Sequence, residues 1–283
     1  MSGSNEVIVT GAGGYIGPHL VHGLVERGYS VTALVRPGSV PHIDPRARVE
    51  HCDVLHDPTV VERIAAAEGL VHLAWQDGFV HNSPAHMEQV SAHFRLLTAV
   101  AARGVRRIVA LGTMHEVGYW EGAITASTPT NPLSAYGIAK DALRRALPLA
   151  IGDSSSFSWA RCFYIYGDDR RSQSVFSRLV SAHEAGQKIF PFTSGQNKYD
   201  FIRVEELGRQ LAALYARPDV TGVVNCCSGV PVSLGDQVQR FIDENELDLT
   251  LEYGAYPDRA YDSPAVWGDA AQIQQILQQR RPS

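Results

Sequence analysis

The chain has 283 residues, 45% hydrophobic and 19% charged, which suffices for one large folded domain or two small ones. Its formal charge of −5 excludes a typical binder of the nucleic-acid backbone, which needs clustered Lys and Arg, so no nucleic-acid partner is expected. No stretch approaches the roughly 20 uninterrupted apolar residues of a membrane span, and Met1 to Glu6 is polar with no basic or apolar leader, so no membrane partner and a cytoplasmic location are expected.

In chain order, Val7-Ile8-Val9-Thr10 reads as a strand running into the glycine turn Gly11-Ala12-Gly13-Gly14-Tyr15-Ile16-Gly17. Apolar residues then recur at Ile16, Leu20, Val21, Leu24 and Val25, which is helical spacing, and Gly28 closes that helix. A second strand is expected at 31–35, followed by the loop Arg36-Pro37-Gly38. Further strands are expected at 49–52, 70–74, 107–111 and 158–164, alternating with helices at 59–66, 87–103 and 134–149. That alternation predicts an α/β fold, a Rossmann-type doubly wound parallel sheet. Beyond Gly167 the rhythm loosens into a helix at 174–185, a stretch with Pro and Gly at 190–196, a helix at 204–216, a strand at 223–226 and a helix at 237–245. The expected organisation is a dinucleotide-binding domain over 1–166, to which about 197–225 returns, with most of 167–283 forming a smaller substrate-binding lobe.

Four cysteines (Cys52, Cys162, Cys226, Cys227) are too few and too irregularly spaced for a disulfide framework or zinc ribbon, and are expected to be buried free thiols. The histidines show no metal-ligand spacing, so no metal is expected. The 25 basic residues include only three lysines, Lys140, Lys188 and Lys198, which makes each of them worth attention.

The glycine turn sits at the first strand-to-helix connection, where residues without a Cβ let the backbone approach a dinucleotide pyrophosphate at a helix N-terminus. Gly11, Gly14, Tyr15, Ile16 and Gly17 are the expected contacts. At the end of the second strand the carboxylate that usually accepts the NAD ribose hydroxyls is replaced by Arg36, whose fork suits a 2′-phosphate, so NADP(H) is favoured over NAD(H). Asp53 and Val54 after the third strand are expected near the adenine, and Leu73, Ala74 and Trp75 after the fourth near the ribose and nicotinamide. Tyr136 and Lys140, at i and i+4 near the start of a helix, share one face; an ammonium there would lower the phenol's pKa toward that of a working acid or base. Thr113 follows the strand at 107–111, at the sheet's carboxyl edge, with His115 and Glu116 beside it as candidate substrate contacts.

Together Thr10-Gly11-Ala12-Gly13-Gly14-Tyr15-Ile16-Gly17, His72-Leu73-Ala74, Thr113, Tyr136-x-x-x-Lys140, Arg161-Cys162-Phe163-Tyr164-Ile165-Tyr166-Gly167 and Asp200-Phe201-Ile202 resemble the extended short-chain dehydrogenase/reductase family, in its nucleotide-sugar epimerase/dehydratase branch. The resemblance covers nearly the whole chain. It implies an NAD(P)-dependent enzyme in which Thr113 polarises the carbonyl or hydroxyl, Tyr136 passes the proton, and Lys140 holds the nicotinamide ribose and depresses the phenol's pKa. It also implies a nucleotide-diphosphate sugar substrate and a homodimer through the helices near 87–103 and 134–149. Arg259-x-x-Asp262 resembles the segment that grips the diphosphate, whereas Tyr164 and Tyr199 replace an Asn and an Arg of the family pattern. Lys198, Arg170 and Arg171 are the candidate substitutes.

The resemblance also bears on the reaction. Met114-His115 stand where 4,6-dehydratases carry Asp-Glu, which disfavours dehydration, and Arg36 counts against NAD-retaining epimerases. Gly112-Thr113-Met114-His115-Glu116 resembles the stretch found in reductases of nucleotide-linked 4-keto-6-deoxysugars, so NADPH-dependent ketone reduction is the expected activity. A 4-epimerase, a reductase of a non-sugar ketone and a non-catalytic NADP-sensing regulator are the alternatives; the regulator is disfavoured because the Tyr-Lys pair is kept.

Overall fold

Successive side chains of a strand point to opposite faces, so a strand buried on both sides must be apolar at every position. The computed structural model, which describes residues 5–167, 174–258 and 262–279, is built on that rule. In β1 (Glu6–Thr10), Val7 and Val9 enter one core while Ile8 enters the other; in β2 (Ser30–Val35), Ala33 and Leu34 divide the same way. After β3 (Arg48–His51) the division recurs at Val71 and Leu70 of β4 (Gly69–His72) and at Val109 and Ile108 of β5 (Arg107–Thr113). The short strand β6 (Gly122–Ile124) leaves this sheet, and β7 (Ser156–Cys162) rejoins it, with Ala160 on one face and Trp159 on the other.

The helices of this half are α1 (Gly17–Glu26), α2 (Val60–Ala65), α3 (Ala85–Ala102) and α4 (Ala135–Ile151). The rest of the chain contributes β8 (Tyr164–Tyr166), α5 (Val175–Glu184), β9 (Ile189–Pro191), β10 (Lys198–Arg203), α6 (Val204–Tyr215) and β11 (Gly222–Cys226). It ends with β12 (Pro231–Ser233), α7 (Leu234–Glu244), β13 (Thr250–Glu252), β14 (Ala265–Gly268) and α8 (Ala271–Gln278).

The large sheet has seven strands in the order β11-β7-β5-β4-β1-β2-β3, every pair parallel. One face packs against α1 and α6, which also pack on each other, and the other against α2, α3 and α4. This is the expected doubly wound sheet. The order reverses at β1, placing the crevice beyond its carboxyl end between the β1 and β4 loops.

A second sheet, β12-β10-β14-β6 with β8 also on β10, forms the other half, and β13 pairs with β9. Of 197–225, then, α6 and β11 return to the large sheet, but β10, with its four interior residues all buried, is the centre of the small one. Asp200, fully buried on β10, accepts from the backbone N–H of Ser228, Gly229 and Gly268 and from the Ser228 hydroxyl, tying three segments together. All four cysteines are buried and free, as expected. Among the described residues no helix is long and apolar enough to cross a membrane.

Arg107, the first residue of β5, is 4% exposed. Its guanidinium donates to the carbonyls of Leu214 (2.8 Å) and Tyr215 (3.3 Å) at the end of α6, to the Val220 carbonyl (3.1 Å) and to Ser156 Oγ (2.8 Å). A helix end leaves carbonyls without intrahelical donors, and this arginine supplies them.

Candidate active site

The β1 to α1 turn is shaped for close approach. Gly11 has φ +69°, and a Cβ on it would lie 2.6 Å from the Ala74 nitrogen, so the turn packs against the strand-end segment Leu73-Ala74-Trp75. Gly14 N–H returns to the Gly11 carbonyl (3.0 Å), and α1 begins with Pro18 in its first turn and no acidic residue there. A cavity of about 370 Å³ lies beside it, lined by Gly13, Gly14, Tyr15, Ser39, Val40 and Pro41. An open cradle at an acid-free helix N-terminus fits a dinucleotide pyrophosphate. Tyr15 turns its hydroxyl to the Gly167 carbonyl and its ring edge to Phe79. Arg36 is exposed just after β2, and its guanidinium enters no described hydrogen bond or ion pair. Asp53 lies after β3 with its carboxylate held by His56 Nδ1 (3.0 Å) and Leu55 N–H (3.2 Å), and Val54 packs beside the core of that face.

The Thr113, Tyr136 and Lys140 side chains converge at the carboxyl edge of β5. Ser134 caps α4 by accepting from Gly137 N–H (3.2 Å), while the loop between β4 and α3 supplies the His81 carbonyl to Tyr136 N–H (2.9 Å) and Asn82 Oδ1 to Ala135 N–H (3.2 Å). These bonds satisfy three of the helix's orphan donors and fix where Tyr136 starts. A Cβ on Gly137 would come within 2.4 Å of the His115 carbonyl, so the first turn of α4 crosses the 113–116 turn backbone to backbone. Thr113 Oγ accepts from His115 N–H (3.3 Å), leaving its own proton free, and the hydroxyl acts on the Tyr136 phenol in the sense that favours its ionised form.

The electrostatics correct one expectation. Burial pushes the Tyr136 phenol above its ordinary value; the Thr113 hydroxyl opposes that shift, and Lys140 does not. Lys140 Nζ instead donates to the Leu111 carbonyl (2.7 Å) and sits 3.8 Å from the centre of the Trp75 indole, a cation–π contact, with the Tyr136 ring centre at 5.9 Å. Burial pushes its ammonium down to about 7. A lysine whose folded value lies below its unfolded one gives up its proton on folding within that interval, so stability rises as pH rises from about 7 toward 10.5. Lys140→Met should therefore be more stable than wild type at neutral pH, with the advantage shrinking by up to about 1.4 kcal/mol per pH unit on the alkaline side. Urea unfolding of both proteins across that range measures it; a constant difference would refute the assignment.

Aromatic rings surround the phenol. His81 stacks on the Tyr136 ring (5.7 Å, 12°), His115 lies 6.1 Å from it and 6.4 Å from Tyr164, and Trp75 meets it edge-on at 6.1 Å. Burial, with His81 nearby, pushes His115 down to about 3, so it is neutral at physiological pH. Behind Trp75 runs a buried chain in which His72 joins Thr10 Oγ (2.8 Å) to His93 (2.9 Å), and His93 stacks on the indole at 4.5 Å. The roles of His81 and His93 were not legible beforehand, because their partners lie on other elements; the one available signal was His72 at a strand end.

Two candidates need correction or qualification. Glu116 cannot meet substrate directly: it is 0% exposed, its Oε1 accepting from Thr113 N–H (2.8 Å) and Trp159 Nε1 (2.7 Å), its Oε2 facing Arg161 Nε (3.3 Å) and Arg144 Nε (3.5 Å). Lys198 is exposed at the start of β10 and its ammonium enters no hydrogen bond or ion pair among the described residues, while the neighbouring Tyr199 packs against Tyr164 at 4.5 Å rather than facing outward. Arg259, Arg170 and Arg171 lie outside the described residues. Lys188 pairs with Asp248 on the surface. No cluster of three or more metal-ligating side chains occurs among the described residues.

Comparison with known proteins places this geometry. Residues 7–227 match the model of the NAD dependent epimerase/dehydratase family. A dTDP-6-deoxy-L-talose 4-dehydrogenase (NAD(+)) of Aggregatibacter actinomycetemcomitans is 40% identical over 268 residues, spanning 93% of this chain and 99% of that protein. The solved structure of MoeE5 in complex with UDP-glucuronic acid and NAD superimposes with a TM-score of 0.78 at 28% identity, over 98% of this chain and 94% of that one. A UDP-glucose 4-epimerase structure has a TM-score of 0.84 at 19% identity, covering 96% and 91%, which speaks to the fold alone. The chain thus belongs to the NAD dependent epimerase/dehydratase family, as an NAD(P)-dependent oxidoreductase of the extended short-chain dehydrogenase/reductase type.

Proposed function

We propose that the protein reduces the 4-keto group of a nucleotide-diphosphate 6-deoxyhexose, with dTDP as the nucleotide, and that Thr113, Tyr136 and Lys140 do the chemistry. The observation that carries this reading is the convergence of Thr113, Tyr136 and Lys140 at the sheet's carboxyl edge, with the neighbouring carboxylate, Glu116, turned into the core. Elimination of water needs an acid and a base at the sugar; carbonyl reduction needs only a proton donor and an oxyanion partner. The extensive identity with a 4-dehydrogenase of a dTDP-6-deoxysugar supports the same reading, since oxidation of the alcohol and reduction of the ketone pass through one transition state.

The nicotinamide, when bound, supplies the hydride. Tyr136 gives its phenol proton to the sugar oxygen, and the Thr113 hydroxyl, with one proton to donate, stabilises the negative charge left on the phenol oxygen. Lys140 would hold the cofactor ribose. Neutral His115, between Tyr136 and Tyr164, borders the sugar without adding charge.

NADP(H) is the preferred cofactor in this reading, which rests on an Arg36 guanidinium with no partner among the described residues and on a sequence with no carboxylate over residues 35–39. Purified protein given NADPH or NADH and a dTDP-linked 4-keto-6-deoxyhexose is expected to consume the reduced nicotinamide. Arg36→Ala is expected to lower kcat/KM for NADPH about 10- to 100-fold, the worth of a charge-assisted phosphate contact, and to leave NADH turnover unchanged. Interconversion of epimers with no net consumption would replace the reductase by an epimerase. A wild-type preference for NADH, as the name of the talose dehydrogenase has it, would overturn the cofactor assignment alone.

A further inference from the structure

We propose that Glu116 is a positioning residue of this site, aiming the Thr113 hydroxyl at Tyr136 by capping the turn between them, an inference that rests on the functional reading above. Residues 113–116 form a reciprocal cap: Thr113 Oγ accepts from the backbone N–H groups of the turn, and the Glu116 carboxylate accepts from Thr113 N–H. On an exposed helix such a cap is a modest local device. Here Thr113 is 6% and Glu116 0% exposed, and the Thr113 side chain it orients keeps its own proton and acts on the Tyr136 phenol.

The surroundings show what holds the carboxylate still. Trp159 Nε1 shares Oε1 with Thr113 N–H, and Gly112 lets the indole in, since a Cβ there would come within 2.1 Å of that nitrogen. Arg161, itself 0% exposed, neutralises Oε2 and is anchored to the Thr125 carbonyl (3.1 Å). A buried carboxylate held by two N–H donors and a cation has one available orientation, and a one-ångström displacement of a reacting group costs a large part of its contribution to rate.

Charge neutralisation and capping are separated by two double variants. In Glu116→Leu with Arg161→Met the ion pair is replaced by apolar groups of similar size, which commonly preserves folding, while the cap is lost. In Glu116→Gln with Arg161→Met the cap acceptor is retained without the charge. The glutamine variant is expected to recover kcat to within about threefold of wild type, and the leucine variant to lose at least about tenfold in kcat with KM and cofactor Kd unchanged. Glu116→Met with Arg161→Met stands in if the leucine variant does not fold. Methyl NMR of Thr113 reads the same point without turnover: its order parameter should fall in the leucine variant and hold in the glutamine one. Equal kcat in the two folded variants, or equal Thr113 order, overturns the proposal and leaves Glu116 as a counter-ion of Arg161. Failure of the wild type to reduce any 4-keto-sugar would instead remove the functional reading, leaving the NMR comparison to stand by itself.

Discussion

Tyr136→Phe is expected to lower kcat for keto-sugar reduction about 10²- to 10⁴-fold while the dissociation constants of cofactor and sugar stay within a few-fold, the usual worth of a positioned general acid. The ring itself stays useful: Phe keeps the stacking on His81 and the edge contact with Trp75. Only the hydroxyl goes, and with it the group on which the Thr113 hydroxyl acts. Because burial holds the phenol protonated, wild-type enzyme enters the reductive direction with the proton already in place. Oxidation of the alcohol needs the opposite form, so its rate should climb with pH well past neutrality while reduction stays level. Single-turnover hydride transfer followed at the nicotinamide band in both directions measures each part. Turnover of the phenylalanine variant within tenfold of wild type would place the proton donor elsewhere.

Arg107→Met is expected to cost about 1–3 kcal/mol of folding stability, the range for leaving a buried polar group without its partner. The methionine fills the space but donates nothing, so the Tyr215 carbonyl loses its donor, while the Leu214 and Val220 carbonyls keep Arg217 N–H and Ser158 Oγ. Chemical denaturation should show a lower midpoint with an unchanged slope, and thermal unfolding a drop of a few degrees. Arg107 stands at the amino end of β5 and Thr113 at its carboxyl end, so cofactor affinity of the folded variant should not change. A loss below about 1 kcal/mol would mean that water takes over the capping.

The sheet was readable because its strands are buried on both faces: Val7-Ile8-Val9, Val31 to Val35 and Arg107 to Leu111 are apolar almost throughout, and the intervening helices carry their own period. The strands β6, β8, β9, β10, β12, β13 and β14 were missed. All but the six-residue β10 are three or four residues long, and what makes them strands is a neighbour far along the chain, as when Val266 and Gly268 of β14 meet Gly122 and Ile124. The Tyr136 and Lys140 pair was visible as an i, i+4 relation on one helix; the direction Lys140 takes was not, because Leu111 and Trp75 come from two other segments. Glu116 looked like a substrate ligand for a related reason. Its place in the sequence is beside the site, but the turn it caps folds it inward against Trp159 and Arg161, both on β7.

The close crossing at Gly137 bears on how such an enzyme can diversify. With the His115 carbonyl set against the first turn of α4, the separation of the two proton-handling groups is a property of main chain, inherited whole by any variant that keeps the glycine. The side chain at 115 is then free to drift toward new substrates while the main-chain crossing is kept. Selection for a different substrate in this scaffold should accumulate changes there and at Tyr164 before it touches the helix start.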